Sequence, residues 1–229
     1  MSNDLEGLTR RRFVSTLGAL AVVSTTLVHL PDNAYAAVPV LGGPNGPTSE
    51  NGWPIIDGKS LKPMALQGSD ATVTVVSGAV ATILEHVLRR FHYEIDTLGA
   101  EEVYSHSDKV TGGVAFESNY QSGTAVAIRP TVYPVGVAGG FFPNELLIIR
   151  DILAECDGVV SWGGDDRRNP KEGHFQIDVP PRSHLLGKVA RKFDQWDIAS
   201  RKGAGFEVDP FAPDRLAAAA ELKAKQAPE

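Results

Sequence analysis

Two short blocks of this chain carry residue types capable of chemistry. The first, Ser118-Asn119-Tyr120-Gln121-Ser122-Gly123-Thr124-Ala125-Val126-Ala127, offers hydroxyls, amides and a phenol. The second begins at Trp162-Gly163-Gly164-Asp165 and resumes at Lys171-Glu172-Gly173-His174-Phe175-Gln176-Ile177-Asp178, which sets carboxylates, an amine and an imidazole close together. Imidazole changes charge near neutral pH and is the commonest metal ligand. Tyr120, Lys171 and His174 brought together would form an acid–base cluster if burial shifted their pKa values. Taken singly, His174 reads as a histidine at a strand end, kept for packing and hydrogen bonding. His86 and His92 stand six residues apart and so face different sides of a helix, not a spacing for chelation; both are expected to be peripheral or solvent-facing. Arg129 and Arg167-Arg168 read as solvated surface charge. No GxxxxGKS/T, GxSxG or HExxH pattern is present, which removes the common nucleotide-binding, serine-hydrolase and zincin readings.

The elements that must position these blocks follow from hydrophobic period. Val80, Ile83, Leu84, Val87, Leu88, Phe91 and Ile95 recur at three- and four-residue spacing and predict a helix between Ser77-Gly78 and Gly99, with Arg89, Arg90, His92 and Glu94 off the apolar stripe. Pro143 starts a second helix, with Leu146, Ile149, Leu153 and Cys156 inward, and Gly158 ends it. Further helices are expected from Leu185 to Phe193 and from Pro213 to Lys225. Strands are expected at Ala71–Val76, from Val103, at Val114–Phe116, Thr124–Ile128, Val159–Trp162 and His174–Val179. Helices and strands mix without regular alternation, so the fold class is α+β, a small antiparallel sheet flanked by helices.

A chain of 229 residues buries one main core, and its net charge of −6 is scattered without runs, which argues against a nucleic-acid surface. Thr9-Arg10-Arg11-Arg12-Phe13-Val14, an uncharged stretch to Leu30 and Ala34-Tyr35-Ala36 read as a twin-arginine signal cleaved after Ala36. The uncharged stretch, about 17 residues with several hydroxyls, is weak for a membrane span. The expected product is secreted or extracytoplasmic, with no membrane attachment after cleavage. The organisation expected is a signal at 1–36, a flexible Pro/Gly-rich leader at 37–52, a main domain at 53–200 and a tail with a helix at 201–229. Cys156 is the only cysteine, which excludes an intrachain disulfide and reads as a buried structural thiol.

The stretch from Ser118 to Asp178 resembles the VanY-type zinc D-alanyl-D-alanine carboxypeptidases and L-alanyl-D-glutamate peptidases, cell-wall enzymes of the kind secreted by actinobacteria. Ser118, Asn119, Gly123, Thr124, Ala125, Trp162, Gly163, Gly164, Asp165, His174 and Phe175 stand where the pattern of that family puts them. The resemblance implies a VanY/hedgehog-like α+β fold in which two imidazoles and a carboxylate hold Zn2+ while another carboxylate takes a proton from the bound water. It places the ligands at Tyr120, Ala127 and His174, and the general base at Lys171. Only His174 is of the expected type, and a methyl group cannot ligate a cation. The arginine expected to clasp a substrate carboxylate is also missing upstream, where Lys109 is the nearest cation.

The expectation is therefore a secreted pseudoenzyme that has lost the zinc site, needs no cofactor, and binds a peptide, a peptidoglycan stem or a protein in the old cleft. The cleft would be lined by Ser118, Tyr120, Thr124, Lys109, Trp162, Asp165 and His174. Two alternatives stay open. One is an active peptidoglycan peptidase with a metal site rebuilt from His174, Glu172 and Asp165 or Asp166, with Tyr120 as a phenolate ligand in a variant of it. The other is a metal-free enzyme that uses Tyr120, Lys171 and His174.

Overall fold

The computed structural model describes residues 47–109, 113–198 and 208–226. The expected signal, most of the expected leader and the start of the expected tail lie outside the described residues. Strands β1 (Met64–Ala65) and β2 (Thr72–Val73) form a short antiparallel pair, followed by helix α1 (Ala79–Glu94) and strand β3 (Val103–Tyr104). A one-turn helix α2 (Ser118–Gln121), strand β4 (Ala125–Ile128), helix α3 (Pro143–Glu155) and strands β5 (Val160–Trp162) and β6 (His174–Ile177) come next. Helices α4 (His184–Ile198) and α5 (Pro213–Gln226) complete the order. The larger sheet runs β3-β4-β6-β5 with every pairing antiparallel, so the chain is α+β with small antiparallel sheets and flanking helices.

Side chains on a strand alternate between faces, and both faces of this sheet are covered. Val126 and Ile128 of β4 and Phe175 and Ile177 of β6 join the main core with α1 and α3. Ala125 and Ala127 point the other way, against Tyr120 and Tyr104. The register sets Ala127 opposite His174 and Val126 opposite Phe175. A slip of one residue would exchange the two faces.

Helix α1 buries the apolar stripe read from its period, and it also buries His86, Arg89, Arg90 and His92. The expectation that its two histidines are peripheral is corrected. His86 Nε2 lies 2.8 Å from Glu155 Oε2, and its ring stacks on Phe193 with centroids 3.7 Å apart. His92 Nδ1 accepts from the Leu98 N–H at 2.8 Å. Helices α3 and α4 pack on α1 beyond its apolar stripe, so polar groups there are covered once they find partners. Residues 115–117 form a 3-10 turn where a strand was expected, because the turn runs straight into α2. Arg129 is also no free surface cation, since it pairs with Glu102 and Asp96.

The described end of the leader is fastened to the sheet. The Glu50 N–H donates to Ser118 Oγ at 2.8 Å, and the Asn51 N–H donates to Asn119 Oδ1 at 3.1 Å. Asn51 Nδ2 reaches both Thr124 Oγ1 and the Ile177 carbonyl at 2.8 Å, and Trp53 Nε1 donates to the Val179 carbonyl at 2.8 Å. Flexibility was inferred from the lack of a hydrophobic period, yet these residues are held through hydrogen bonds, which leave no periodic trace.

Candidate functional site

Three elements bring the first and second blocks together. Helix α2 presents Tyr120, β4 presents Ala127 beside it, and β6 presents His174 directly across the ladder. Tyr120 Oη lies 2.6 Å from His174 Nδ1, and His174 Nε2 lies 2.8 Å from Gln176 Oε1. Gln176 Oε1 also accepts from Asn119 Nδ2 at 2.7 Å. That carbonyl can only accept, so the network assigns the histidine proton to Nε2 and leaves Nδ1 to accept from the tyrosine hydroxyl. Both nitrogens of His174 are thus engaged, and Tyr120 and His174 are 0% and 2% exposed.

Lys171 is held nearby by a different partner. Its Nζ donates to Glu117 Oε1 at 2.7 Å, and both side chains are buried. The ammonium sits 4.9 Å from the Tyr120 ring centroid and 5.8 Å from that of Phe116. The Phe116 ring in turn covers His174, with centroids 4.7 Å apart. The 3-10 turn carrying Phe116 and Glu117 therefore closes one side of the site, while Glu50 and Asn51 close another through Asn119, Thr124 and Gln176.

Burial sets the protonation states. It pushes His174 down to about 4, with the Lys171 charge adding to the effect and the Gln176 hydrogen bond opposing it. Burial drives the Tyr120 phenol well above its ordinary value, and the charge of Glu117 and neighbouring Tyr104 raise it further. At neutral pH the pair is a neutral phenol on a neutral imidazole. A folded-state pKa below the unfolded value makes the unfolded chain bind the proton first, so stability is full above pH 6.5 and falls as pH drops toward 4. The expected loss across that window is on the order of 3 kcal/mol, read by urea unfolding between pH 7 and 4. The same slope persisting in His174→Gln would show that another group carries it.

The donors at this site do not fit zinc. Tyr120 is kept protonated, Ala127 offers no ligand atom, the Nδ1 lone pair of His174 accepts a hydrogen bond from the Tyr120 hydroxyl, and Lys171 adds a positive charge close by. Nor does the structure bring the replacement ligands to His174. Both carboxylate oxygens of Glu172 accept backbone N–H bonds, from Gly139 at 2.9 Å and Gly140 at 2.6 Å. Asp165 is paired in two places with Arg150, each at 2.5 Å, and Asp166 Oδ1 accepts from the Arg168 and Asn169 N–H groups. Among the described residues no group of three His, Cys, Asp or Glu side chains is arranged to hold a metal.

The expected cleft residues divide between two faces of the sheet. Tyr120, His174 and Thr124 gather on the face covered by the leader, and Ser118 lies at its edge with Oγ accepting from Glu50. Lys109 is exposed in a loop, hydrogen-bonded to Ser107. Trp162 packs with the opposite core, and with Asp165 and Glu172 it lines a groove of about 580 Å3 against α3 and α5. The glycines of Trp162-Gly163-Gly164-Asp165 are there for close approach. A Cβ on Gly164 would meet the Trp162 ring at 2.3 Å, and one on Gly163 would meet the Lys171 carbonyl at 2.5 Å.

Sequence reasoning missed Glu117, Asn119, Gln176, Glu50 and Asn51 as members of this network. Gln176 had a legible signal, two residues from His174 and so on the same face of its strand. Glu117 had none, since its partner lies 54 residues away. No protein family, curated protein or solved structure matches this chain.

Proposed function

We propose that this chain is an exported, peptidase-like binding protein of VanY type that has lost zinc hydrolysis and takes a peptide, a peptidoglycan stem or a protein as its ligand. The observation that carries this reading is the meeting of Tyr120, Ala127 and His174 at one place. These are the three positions that the resemblance assigns to zinc, and they now hold a buried phenol–imidazole hydrogen bond and a methyl group. The ion pair of Lys171 with Glu117 occupies the general-base position with the wrong sign of charge. Export rests on the twin-arginine pattern at Thr9–Val14, and among the described residues no helix is long and apolar enough to cross a membrane.

Elemental analysis of the exported, folded protein tests the reading. It should contain well under one equivalent of zinc and leave muropeptides uncut. Stoichiometric zinc lost on His174→Ala, or chelator-sensitive cleavage of a stem peptide, would overturn it.

A further inference from the structure

The face away from the Tyr120–His174 pair carries an open groove. Its floor is Trp162, whose indole N–H donates to the Glu172 carbonyl at 2.6 Å. The Arg150 guanidinium lies 4.8 Å from the Trp162 ring centroid and is locked there by its double bond to Asp165. Leu146 and Leu147 of α3 form one wall, and Lys223 and Gln226 of α5 another.

Two independent features single this groove out. The first is exposed apolar surface. Four of the six large hydrophobic side chains exposed among the described residues, Val132, Val137, Phe142 and Leu147, fall between residues 132 and 147, and Leu147 lines the groove itself. Val132, Val137 and Phe142 belong to a segment, Pro130 to Pro143, without a single charge. That segment is tied in place by Glu172 on the Gly139 and Gly140 N–H groups and by the Gly136 N–H on the Pro170 carbonyl at 2.7 Å. Leu147, exposed on the wall of a concave groove beside Leu146, offers apolar surface to a partner.

The second feature is the balance of charge. Both acids of the groove are already satisfied, Asp165 by Arg150 and Glu172 by two backbone N–H groups. Two cations of the lining, Arg167 and Lys223, have no acidic partner among the described residues. Counting Arg150, Arg167 and Lys223 against Asp165 and Glu172, the lining of the groove carries a net charge of +1 on a chain whose net charge is −6.

We infer that the groove between α3 and α5 docks a peptide segment that carries apolar side chains together with carboxylates, the apolar groups against Leu147 and Trp162 and the acids toward Arg167 and Lys223. Complementary charge sets the choice of segment, and the apolar contact supplies the greater part of the affinity. The inference rests on reading the chain as a peptide binder, and it places the ligand outside the buried zinc-like position.

The test uses two labelled, end-blocked hexapeptides, one alternating leucine with glutamate and one alternating leucine with lysine, titrated against the folded protein by fluorescence anisotropy. The glutamate peptide should bind about tenfold more tightly than the lysine peptide, and added salt should narrow the gap. The double charge reversal Arg167→Glu/Lys223→Glu should invert the preference, and Leu147→Asp should weaken the glutamate peptide about fivefold or more. These positions are solvent-facing, so the fold survives the changes. Equal binding of the two peptides, no binding of the glutamate peptide at millimolar concentration, or binding unchanged by the charge reversal would each overturn the inference. None of these outcomes alters the zinc content or muropeptide result, so failure of the groove and failure of the pseudoenzyme reading are told apart.

Discussion

Arg90→Met should destabilise the protein by about 3–5 kcal/mol, lowering its melting temperature by roughly 10 °C or more. Arg90 is 2% exposed and holds three acids at once. Its Nη2 reaches Glu94 at 2.5 Å and Asp151 at 2.9 Å, and Nη1 reaches Glu155 at 2.7 Å. Arg215 of α5 bonds the same Asp151 and Glu155, and His86 completes the set. Burial by itself would raise the Glu155 pKa, yet its partners His86, Arg90 and Arg215 bring it down to about 2. Removing the guanidinium strands these carboxylates in the interior with too little positive charge. Arg90→Lys should rescue little, because an ammonium cannot serve three acids from one planar fork. Equilibrium unfolding in urea measures the effect, and a loss under 1 kcal/mol would mean that the cluster relaxes into solvent.

The cluster also explains what holds the C-terminal helix. α5 packs on α3, and Arg215 enters the same network from that side. Buried ion pairs of this kind add little net stability compared with well-packed apolar residues, so this network is better read as fixing which surfaces meet.

The second large effect is a gain. In the triple variant Tyr120→His/Ala127→Asp/Lys171→Gln, two imidazoles and a carboxylate would face one another across α2, β4 and β6, and the opposing ammonium would be gone. Without metal this variant should be less stable than the parent, since Ala127 lies fully buried and a carboxylate there has no partner. With zinc at about a thousand times its dissociation constant, the variant should regain about 4 kcal/mol, a rise of roughly 8–16 °C in melting temperature. The parent protein should not respond, because its Nδ1 lone pair is taken by Tyr120. A folded variant that ignores zinc would sink the proposal that Tyr120, Ala127 and His174 stand at the positions of a metal site.

Much of the framework is legible in one dimension. The stripe from Val80 to Phe91 predicts α1, Pro143 and Gly158 bracket α3, and short apolar runs bounded by Gly and Pro predict β4, β5 and β6, because burial on one face leaves a period in the sequence. Gly163 and Gly164 are likewise visible as a motif, although only the packing of Trp162 and Lys171 around them says why no side chain fits.

The sequence by itself determined the longer helices α1, α3, α4 and α5, the location of β4, β5 and β6 and the α+β class, since residue type and period suffice for those. Only the tertiary structure decided that Tyr120 donates to His174, that Lys171 answers to Glu117, that the leader's end pins the site, and that Trp162 and Asp165 face a different groove. The physical reason is distance along the chain. A buried polar group must find a partner, but for Tyr120 and Lys171 that partner arrives from 54 residues away, and nothing local records which one it is.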